Sequence, residues 1–251
     1  MTEAETFPII RTVGLDGMLV TFSDRMSDAA NRAALAFRDA VEQAGWPSII
    51  ETSSSLASTY LRFDPLELPH AEVEARLADL LAGQNWYAAA LPPKRHLWRI
   101  PTVYGTDLAP QLDEAAALAG LSVENAVERL GTARVRVLTI GFAPGQPYLG
   151  PLGPEFDIPR QTDLTPTVPR GALVLAISQF VLFSGPAPTG WRHVGQTAFS
   201  CFRPDMPSPF SLRPGDEVIF EPVTQAELER IIHADERRDS NGGARCEVID
   251  T

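Results

Sequence analysis

The chain of 251 residues has a mass of 27.3 kDa, and 44% of its residues are hydrophobic. At about 150 residues per domain, this length predicts one large domain or two ordinary ones with a well-buried core. Acidic residues outnumber basic ones by 32 to 21, so the net charge is −11 and the basic surface typical of nucleic-acid-binding proteins is not expected. The single lysine, Lys94, precedes Arg95, which excludes a Gly-Lys-Ser/Thr phosphate-binding loop.

The sequence predicts a soluble, cytoplasmic protein. The longest apolar run, residues 172–183, is interrupted by Ser178 and Gln179 and is shorter than the ~20 apolar residues of a membrane-spanning helix. The N-terminus is acidic and does not resemble a secretory signal. Cys201 and Cys246 are too few for a disulfide framework, so both are expected as reduced thiols.

Residues 1–90 predict a ferredoxin-like α/β domain. A strand at 17–22 precedes a helix that Ser27 caps and Gly45 ends. The elements predicted next are strands at 48–52 and 59–63, a helix opened by Pro69, and a last strand at 85–88. This order of strand, helix, strand, strand, helix, strand is that of the split βαβ fold.

Two prolines, Pro92 and Pro93, indicate a linker at 91–98. The domain that follows, residues 99–223, begins with two predicted helices. Asp107 is expected to cap the first, which Gly120 closes, and Ser122 is expected to cap the second.

The rest of this domain predicts short strands. Residues 144–214 hold 13 of the 22 prolines, and short strands between Pro/Gly turns are typical of an all-β barrel or sandwich. The strands are predicted at 135–140, 173–177, 180–183, 197–202 and 217–220. Residues 224–251 predict a short helix at 225–233 and a loosely held polar tail.

The sequence lacks the usual metal and nucleophile motifs. Its four histidines are far apart, and His-Glu-x-x-His and Cys-x-x-Cys are missing, so no metal site is predicted. A Gly-x-Ser-x-Gly elbow is also missing, and Cys201 is interpreted as a small apolar core residue.

The most informative segment is residues 139–150, Thr-Ile-Gly-Phe-Ala-Pro-Gly-Gln-Pro-Tyr-Leu-Gly. Its last ten residues contain three glycines and two prolines, which indicate a rigid backbone that other groups can approach closely. Such a loop can present backbone amides to an anion. A well-packed barrel turn is the alternative.

Residues across the chain resemble the carboxyltransferase C/D-domain family, whose members are named allophanate hydrolase subunit 1, the B component of 5-oxoprolinase and kinase A inhibitor. The resemblance extends over residues 8–223. Its motifs are Tyr104-Gly105, Gly141-Phe142-x-Pro144-Gly145-x-Pro147-Tyr148-Leu149-Gly150, Pro159-Arg160, Val168-Pro169-x-Gly171, Gln179, Gly190-Trp191-x-x-x-Gly195-x-Thr197 and Leu212-Arg213-Pro214-Gly215-Asp216-x-Val218-x-Phe220.

The resemblance implies a ferredoxin-like domain followed by a cyclophilin-like β-barrel. It also implies a subunit of an ATP-dependent amide or lactam hydrolase complex that shares a cleft with a larger homologous carboxyltransferase-type subunit. A lactam-utilisation protein is a further implied partner and a small molecule the implied substrate, and no biotin attachment site is expected on this chain. The alternative is a regulatory protein that binds and inhibits a histidine kinase; prolyl isomerase activity rests on fold analogy alone.

The chain departs from the family pattern in its polar residues. Gln146 replaces an aromatic residue, Gly131 stands where a histidine is common, and Gln196 replaces an arginine. The second Pro-Arg pair of the family is Leu164-Thr165 here. At least two basic side chains are therefore expected to be missing from the pocket, which weakens its binding of anions.

Three residues are candidates for the reaction itself. Arg160 is predicted to point into a cleft as an anion clamp, with a solvated loop arginine as the alternative. Gln179 interrupts an apolar strand, so its amide either contacts a polar pocket or is bonded structurally. Tyr148 can orient a substrate carbonyl through its hydroxyl or simply pack.

Seven further residues are predicted to bind the substrate. They are Gly141, Phe142, Pro144, Gly145, Gln146, Trp191 and His193. On a strand, His193 and Trp191 would share one face by the period of two, and His193 can titrate near neutral pH.

Overall fold

The computed structural model describes residues 6–235 and 240–249. The fold is α+β, and the chain divides into two compact units that meet in sequence between Pro93 and Lys94. Residues 1–5, 236–239, 250 and 251, which fall in the predicted N-terminal domain and polar tail, lie outside the described residues. Among the described residues, no helix is long and apolar enough to cross a membrane.

The N-terminal unit is a four-stranded antiparallel sheet with two helices. Its elements are β1 (Ile9–Val13), β2 (Gly17–Thr21), α1 (Asp28–Ala44), β3 (Ile49–Ser55), β4 (Ser58–Phe63) and α2 (His70–Ala82). The strand order in the sheet is β1-β2-β4-β3. Helix α1 therefore connects β2 to β3, and β4 lies between these two strands.

The ends of α1 are set by local side-chain chemistry, and the prediction for them is confirmed. The Ser27 hydroxyl accepts a hydrogen bond from the backbone N–H of Ala30, and Gly45 ends the helix in the left-handed conformation at φ +59°. The buried face of α1 includes Phe37, whose ring packs edge-to-face against Trp86 at 5.0 Å.

The strand predicted at 85–88 is wrong. Residues Trp86–Ala88 form a 3₁₀ helix, capped by the Asn85 side chain, which accepts a hydrogen bond from the Tyr87 backbone N–H. Trp86 is buried, and its indole N–H donates to the carbonyl of Leu81 at 3.1 Å. The sheet edge beside β2 is occupied by β1 instead.

Ten strands lie in the described residues of the C-terminal unit. They are β5 (Arg95–Tyr104), β6 (Val135–Ile140), β7 (Pro147–Gly150), β8 (Thr165–Val168), β9 (Ala172–Ala176), β10 (Gln179–Leu182), β11 (Ala187–Thr189), β12 (Arg192–Thr197), β13 (Glu217–Pro222) and β14 (Arg245–Ile249). Strand β5 begins inside the predicted linker.

Seven of these strands form a closed barrel. The order is β12-β9-β10-β7-β6-β13-β5, and β5 pairs back onto β12. Only the β5–β13 pair is parallel. The barrel core contains large aromatic residues, among them Phe180, whose ring meets Phe220 edge-to-face at 5.5 Å. Strands β8 and β11 form a separate two-stranded ribbon.

In the described part of this unit, the α-helices beside the barrel are α3 (Leu112–Leu118), α4 (Val123–Thr132) and α5 (Gln225–Ala234). Ser122 caps α4 as predicted, accepting from the Asn125 backbone N–H at 3.2 Å. The prediction that Asp107 caps the first helix is wrong, because the backbone N–H of Gln111 donates to the His193 carbonyl at 3.0 Å and α3 begins only after it.

Two segments near the end of the chain differ from the predictions. Residues 198–202 do not continue a strand, because Thr197 turns the chain by accepting a hydrogen bond from the Phe199 backbone N–H at 3.2 Å. The predicted polar tail contains β14, which pairs with β5. Asn241 anchors this tail, since its side chain accepts from the Ser200 backbone N–H at 2.9 Å and donates to the Ser200 carbonyl at 3.2 Å.

Candidate active-site cleft

The loop between β6 and β7, residues 141–146, is a tight turn bonded to itself. Gly141 donates its backbone N–H to the Gln146 carbonyl at 3.0 Å, and Gln146 donates to the Ala143 carbonyl at 3.1 Å. Gly145 has φ +71°, and a Cβ atom there would lie 2.7 Å from the Cys201 carbonyl oxygen. Only glycine fits this close approach.

Phe142, in this loop, combines a left-handed backbone conformation with a highly exposed aromatic ring. Its φ is +71°, and 75% of its surface is exposed. A bulky residue held in the left-handed region costs on the order of 1 kcal/mol or more. An exposed aromatic ring on a strained backbone indicates that function, rather than stability, determines this residue.

A cleft of about 360 Å³ opens beside the loop, and it brings together five of the ten predicted site residues. These five are Phe142, Gln146, Tyr148, Arg160 and Trp191. The buried side chains of Val181 and Phe183 form part of its lining. The Gln146 side chain is also buried, and its Oε1 accepts from the Ser184 backbone N–H at 3.4 Å.

Arg160 supplies a free positive charge to this cleft. Its guanidinium carbon lies 5.3 Å from the centroid of the Trp191 ring, a cation–π contact. The Trp191 ring is fixed by burial and by an edge-to-face contact with Tyr148 at 6.2 Å. No carboxylate of the described residues pairs with Arg160, so its charge is available to an incoming anion.

The residue before Arg160 is held by a buried arginine. The Arg192 guanidinium donates to the Pro159 carbonyl at 2.6 Å and to the Glu114 carboxylate at 2.9 Å. Only 7% of the Arg192 side chain is exposed, whereas 51% of the Glu114 side chain is exposed. Arg192 thus ties the Arg160 loop to helix α3.

The residue after Arg160 is held by Gln161. Its backbone N–H donates to the Gly190 carbonyl at 2.7 Å, and its side-chain amide donates to the Trp191 carbonyl at 3.0 Å. Gln111 donates to Oε1 of Gln161 at 2.6 Å. The backbone on both sides of Arg160 is therefore fixed. Sequence reasoning missed Gln161 because no motif in the chain indicates these contacts.

Five predicted site residues do not line the cleft. Gly141, Pro144 and Gly145 belong to the loop between β6 and β7 and do not line the cleft. Gln179 begins β10, where its side chain lies close to Gly150. His193 lines a separate cavity of about 590 Å³.

His193 pairs with Val174 of β9, and Trp191 packs in the same apolar cluster as Val174, so the two residues lie on one face of the sheet as predicted. They nevertheless line different cavities. His193 is buried, and burial lowers its pKa, although hydrogen bonds with the Gly195 backbone and the Gln196 side chain act in the opposite direction.

Metal and thiol chemistry receive no support from the described part of the chain. There, no group of three or more His, Cys, Asp or Glu side chains is arranged to hold a metal ion. Cys201 is buried in the barrel core, and burial raises the pKa of its thiol to about 12. A thiol with that pKa is not a nucleophile at neutral pH.

The carboxyltransferase domain family, subdomains C and D, matches residues 8–212. This chain belongs to that family. The B component of 5-oxoprolinase from Bacillus subtilis (strain 168) is 27% identical over 230 residues, which cover 86% of this chain and 93% of that protein.

Solved structures share the fold. The crystal structure of TTHA0988 matches 86% of this chain with a TM-score of 0.68 and 30% identity, and this chain spans 40% of that one. The K. lactis urea amidolyase matches 96% of this chain with a TM-score of 0.69, and this chain spans 16% of that protein. At 18% identity, the second likeness concerns the fold alone.

Proposed function

We propose that this chain is the smaller subunit of a cytoplasmic, ATP-dependent amide or lactam hydrolase complex related to 5-oxoprolinase. The observation that supports this most is its similarity to the B component of a bacterial 5-oxoprolinase over 93% of the length of that protein. A protein named as a subunit acts in an assembly, and the partner we propose is the larger homologous carboxyltransferase-type subunit.

The contents of the cleft fit a shared site. It offers the phenol of Tyr148 and the free guanidinium of Arg160, and Gln161 fixes the backbone next to Arg160. Hydrolysis of an amide or lactam requires polarisation of the carbonyl oxygen and an activated attacking group. In our proposal the Tyr148 hydroxyl donates to the substrate carbonyl, and the partner subunit provides the group that activates water.

The same cleft does not fit the phosphates of ATP. A triphosphate is normally held by several cationic groups or by a run of backbone amides at a helix N-terminus. Arg160 is the only cationic residue that lines this cleft within the described part of the chain. We therefore assign ATP to another subunit.

The test is ATP turnover by this chain co-expressed with its larger partner and the lactam-utilisation protein. Turnover is expected to rise on addition of 5-oxoproline and to vanish when this chain is omitted. No stimulation from a properly assembled complex would show that the substrate is a different amide. A stable chain that assembles with neither protein would favour the regulatory, kinase-binding function.

A further inference from the structure

The mouth of the cleft is surrounded by exposed apolar side chains. Phe142 is 75% exposed and Leu164 is 64% exposed, and both line the cleft together with the exposed Pro188. We call these three residues the apolar rim. Leaving large apolar side chains in water around one depression is unfavourable, and such patches typically mark protein interaction sites.

The exposure of the rim favours a protein over a small molecule as its occupant. Phe142 and Leu164 leave 75% and 64% of their surface exposed, and both line the same cleft. Large exposed apolar side chains grouped at one site are typical of the centre of a protein interface.

The charge in the cleft indicates what that protein presents. Arg160 stacks on Trp191 and pairs with no carboxylate of the described residues, although the chain as a whole has a net charge of −11. A cation left unpaired in such an acidic chain is complementary to a carboxylate brought by a partner. Arginine stacked on an aromatic ring inside an apolar surround is a common anchor of protein interfaces.

We propose that the rimmed cleft docks a segment of the partner subunit that presents a carboxylate side chain to Arg160 and apolar side chains to Phe142 and Leu164. This inference rests on the proposed function, because it takes the larger subunit as the occupant.

The test is the dissociation constant of the larger subunit for four variants of this chain. We expect Arg160→Ala, Phe142→Asn and Leu164→Ser each to weaken assembly by roughly tenfold or more. Asparagine tolerates a positive φ, so Phe142→Asn removes the ring without added strain. Leu118→Ser changes an equally apolar side chain, 48% exposed at the end of α3 and outside the cleft, and is expected to leave assembly unchanged.

The salt dependence of binding distinguishes the contribution of the Arg160 charge from that of the apolar rim. The affinity of the wild type for the larger subunit is expected to fall as ionic strength rises. Arg160→Ala is expected to make the affinity less dependent on ionic strength, whereas Phe142→Asn and Leu164→Ser are expected to keep the wild-type dependence. Thermal unfolding of each isolated variant checks that it is folded.

Two results would overturn the docking proposal and leave the proposed function in place. In the first, Arg160→Ala assembles normally but raises the KM for substrate, so that the cation serves the substrate. In the second, the rim variants assemble with wild-type affinity. If the wild-type chain neither binds the larger subunit nor supports ATP turnover, the proposed function fails, and the docking proposal fails with it.

Discussion

Arg192 and Pro159 are joined by a 2.6 Å hydrogen bond from a buried guanidinium to a backbone carbonyl. Through this bond a barrel strand fixes the loop position next to Arg160, so the orientation of the Arg160 side chain depends on a residue that does not line the cleft. Glu114 on α3 completes the arrangement by pairing with the same guanidinium.

We expect Arg192→Met to lower the free energy of unfolding by about 2 kcal/mol, because it leaves the Pro159 carbonyl without its charged donor. Glu114→Gln is expected to cost less than about 1 kcal/mol, since that carboxylate is half exposed. Urea unfolding of the two variants and the wild type gives both values. Equal losses in the two variants would contradict the assignment of the Pro159 bond as the dominant contact.

The buried imidazole of His193 predicts a pH dependence of stability. Its pKa in the folded state is lowered, first by burial, below the ordinary value of 6.5, so the unfolded chain binds this proton more readily. The neutral ring therefore favours the folded state fully above pH 6.5, and this contribution is lost as the pH falls below that value.

The measurement is the free energy of unfolding of wild type and His193→Gln between pH 8 and pH 5. We expect the free energy of unfolding of His193→Gln to fall less steeply than that of the wild type as the pH is lowered below 6.5. The matched control is His233→Gln, which alters an exposed histidine of α5 and is expected to keep the wild-type slope. If the free energy of unfolding of His193→Gln depended on pH as steeply as that of the wild type, the prediction would be contradicted.

The turn between β9 and β10 places two residues that are not glycine in a strained, left-handed backbone conformation. Ile177 and Ser178 have φ of +46° and +54°, the pattern of a type I′ turn, which favours Asn-Gly. The backbone N–H groups of both residues donate to carbonyls of the segment after β7, and these bonds do not depend on the side chains. We expect the double variant Ile177→Asn, Ser178→Gly to raise the free energy of unfolding by roughly 0.5–1 kcal/mol.

Thermal unfolding measures this gain, and Ile177→Val is the control. Valine keeps the β-branched side chain at a positive φ, so no stabilisation is expected from it. A double variant no more stable than Ile177→Val would show that the turn is not strained.

Gly131 faces Pro222 with no room for a side chain. A Cβ atom at this position of α4 would lie 2.4 Å from Cγ of Pro222. Glycine to alanine in a helix normally stabilises by about 1 kcal/mol, but here we expect Gly131→Ala to destabilise by roughly 1–3 kcal/mol. The double variant with Pro222→Ala should recover most of the loss in a double-mutant cycle. Additive losses would contradict the steric explanation.

Both ends of α1 and the start of α4 were predictable because they depend on neighbours in sequence. Ser27 and Ser122 each bond a backbone N–H three residues ahead, and Gly45 supplies a left-handed residue. These contacts are encoded within one helical turn. Strands β6, β9, β10 and β13 were recognisable for a similar reason, since prolines and glycines separate them from their neighbours. Strands β7, β8 and β11 were not predicted, and β12 was placed too late, at 197–202.

The misplaced elements depend on contacts between residues distant in sequence. Residues 85–88 could extend the sheet only if its edge were free, and β1 already occupies that edge. Strand β14 has a polar sequence that becomes a strand only by pairing with β5. Half of the predicted site residues reach the cleft, whereas His193 lines a separate cavity with residues such as Gln111 and Val168, which are distant in sequence.

The position of β5 has a consequence for how the barrel is made. This first barrel strand pairs with β12 and, in parallel, with β13, the last strand needed for closure. During synthesis β5 leaves the ribosome early. Its partner β12 follows only at Arg192–Thr197 and its partner β13 only at Glu217–Pro222, so one edge of β5 stays unpaired until nearly the whole barrel has been made. Folding of this unit is therefore expected to complete slowly and late, with the nascent barrel exposed to aggregation in the interval.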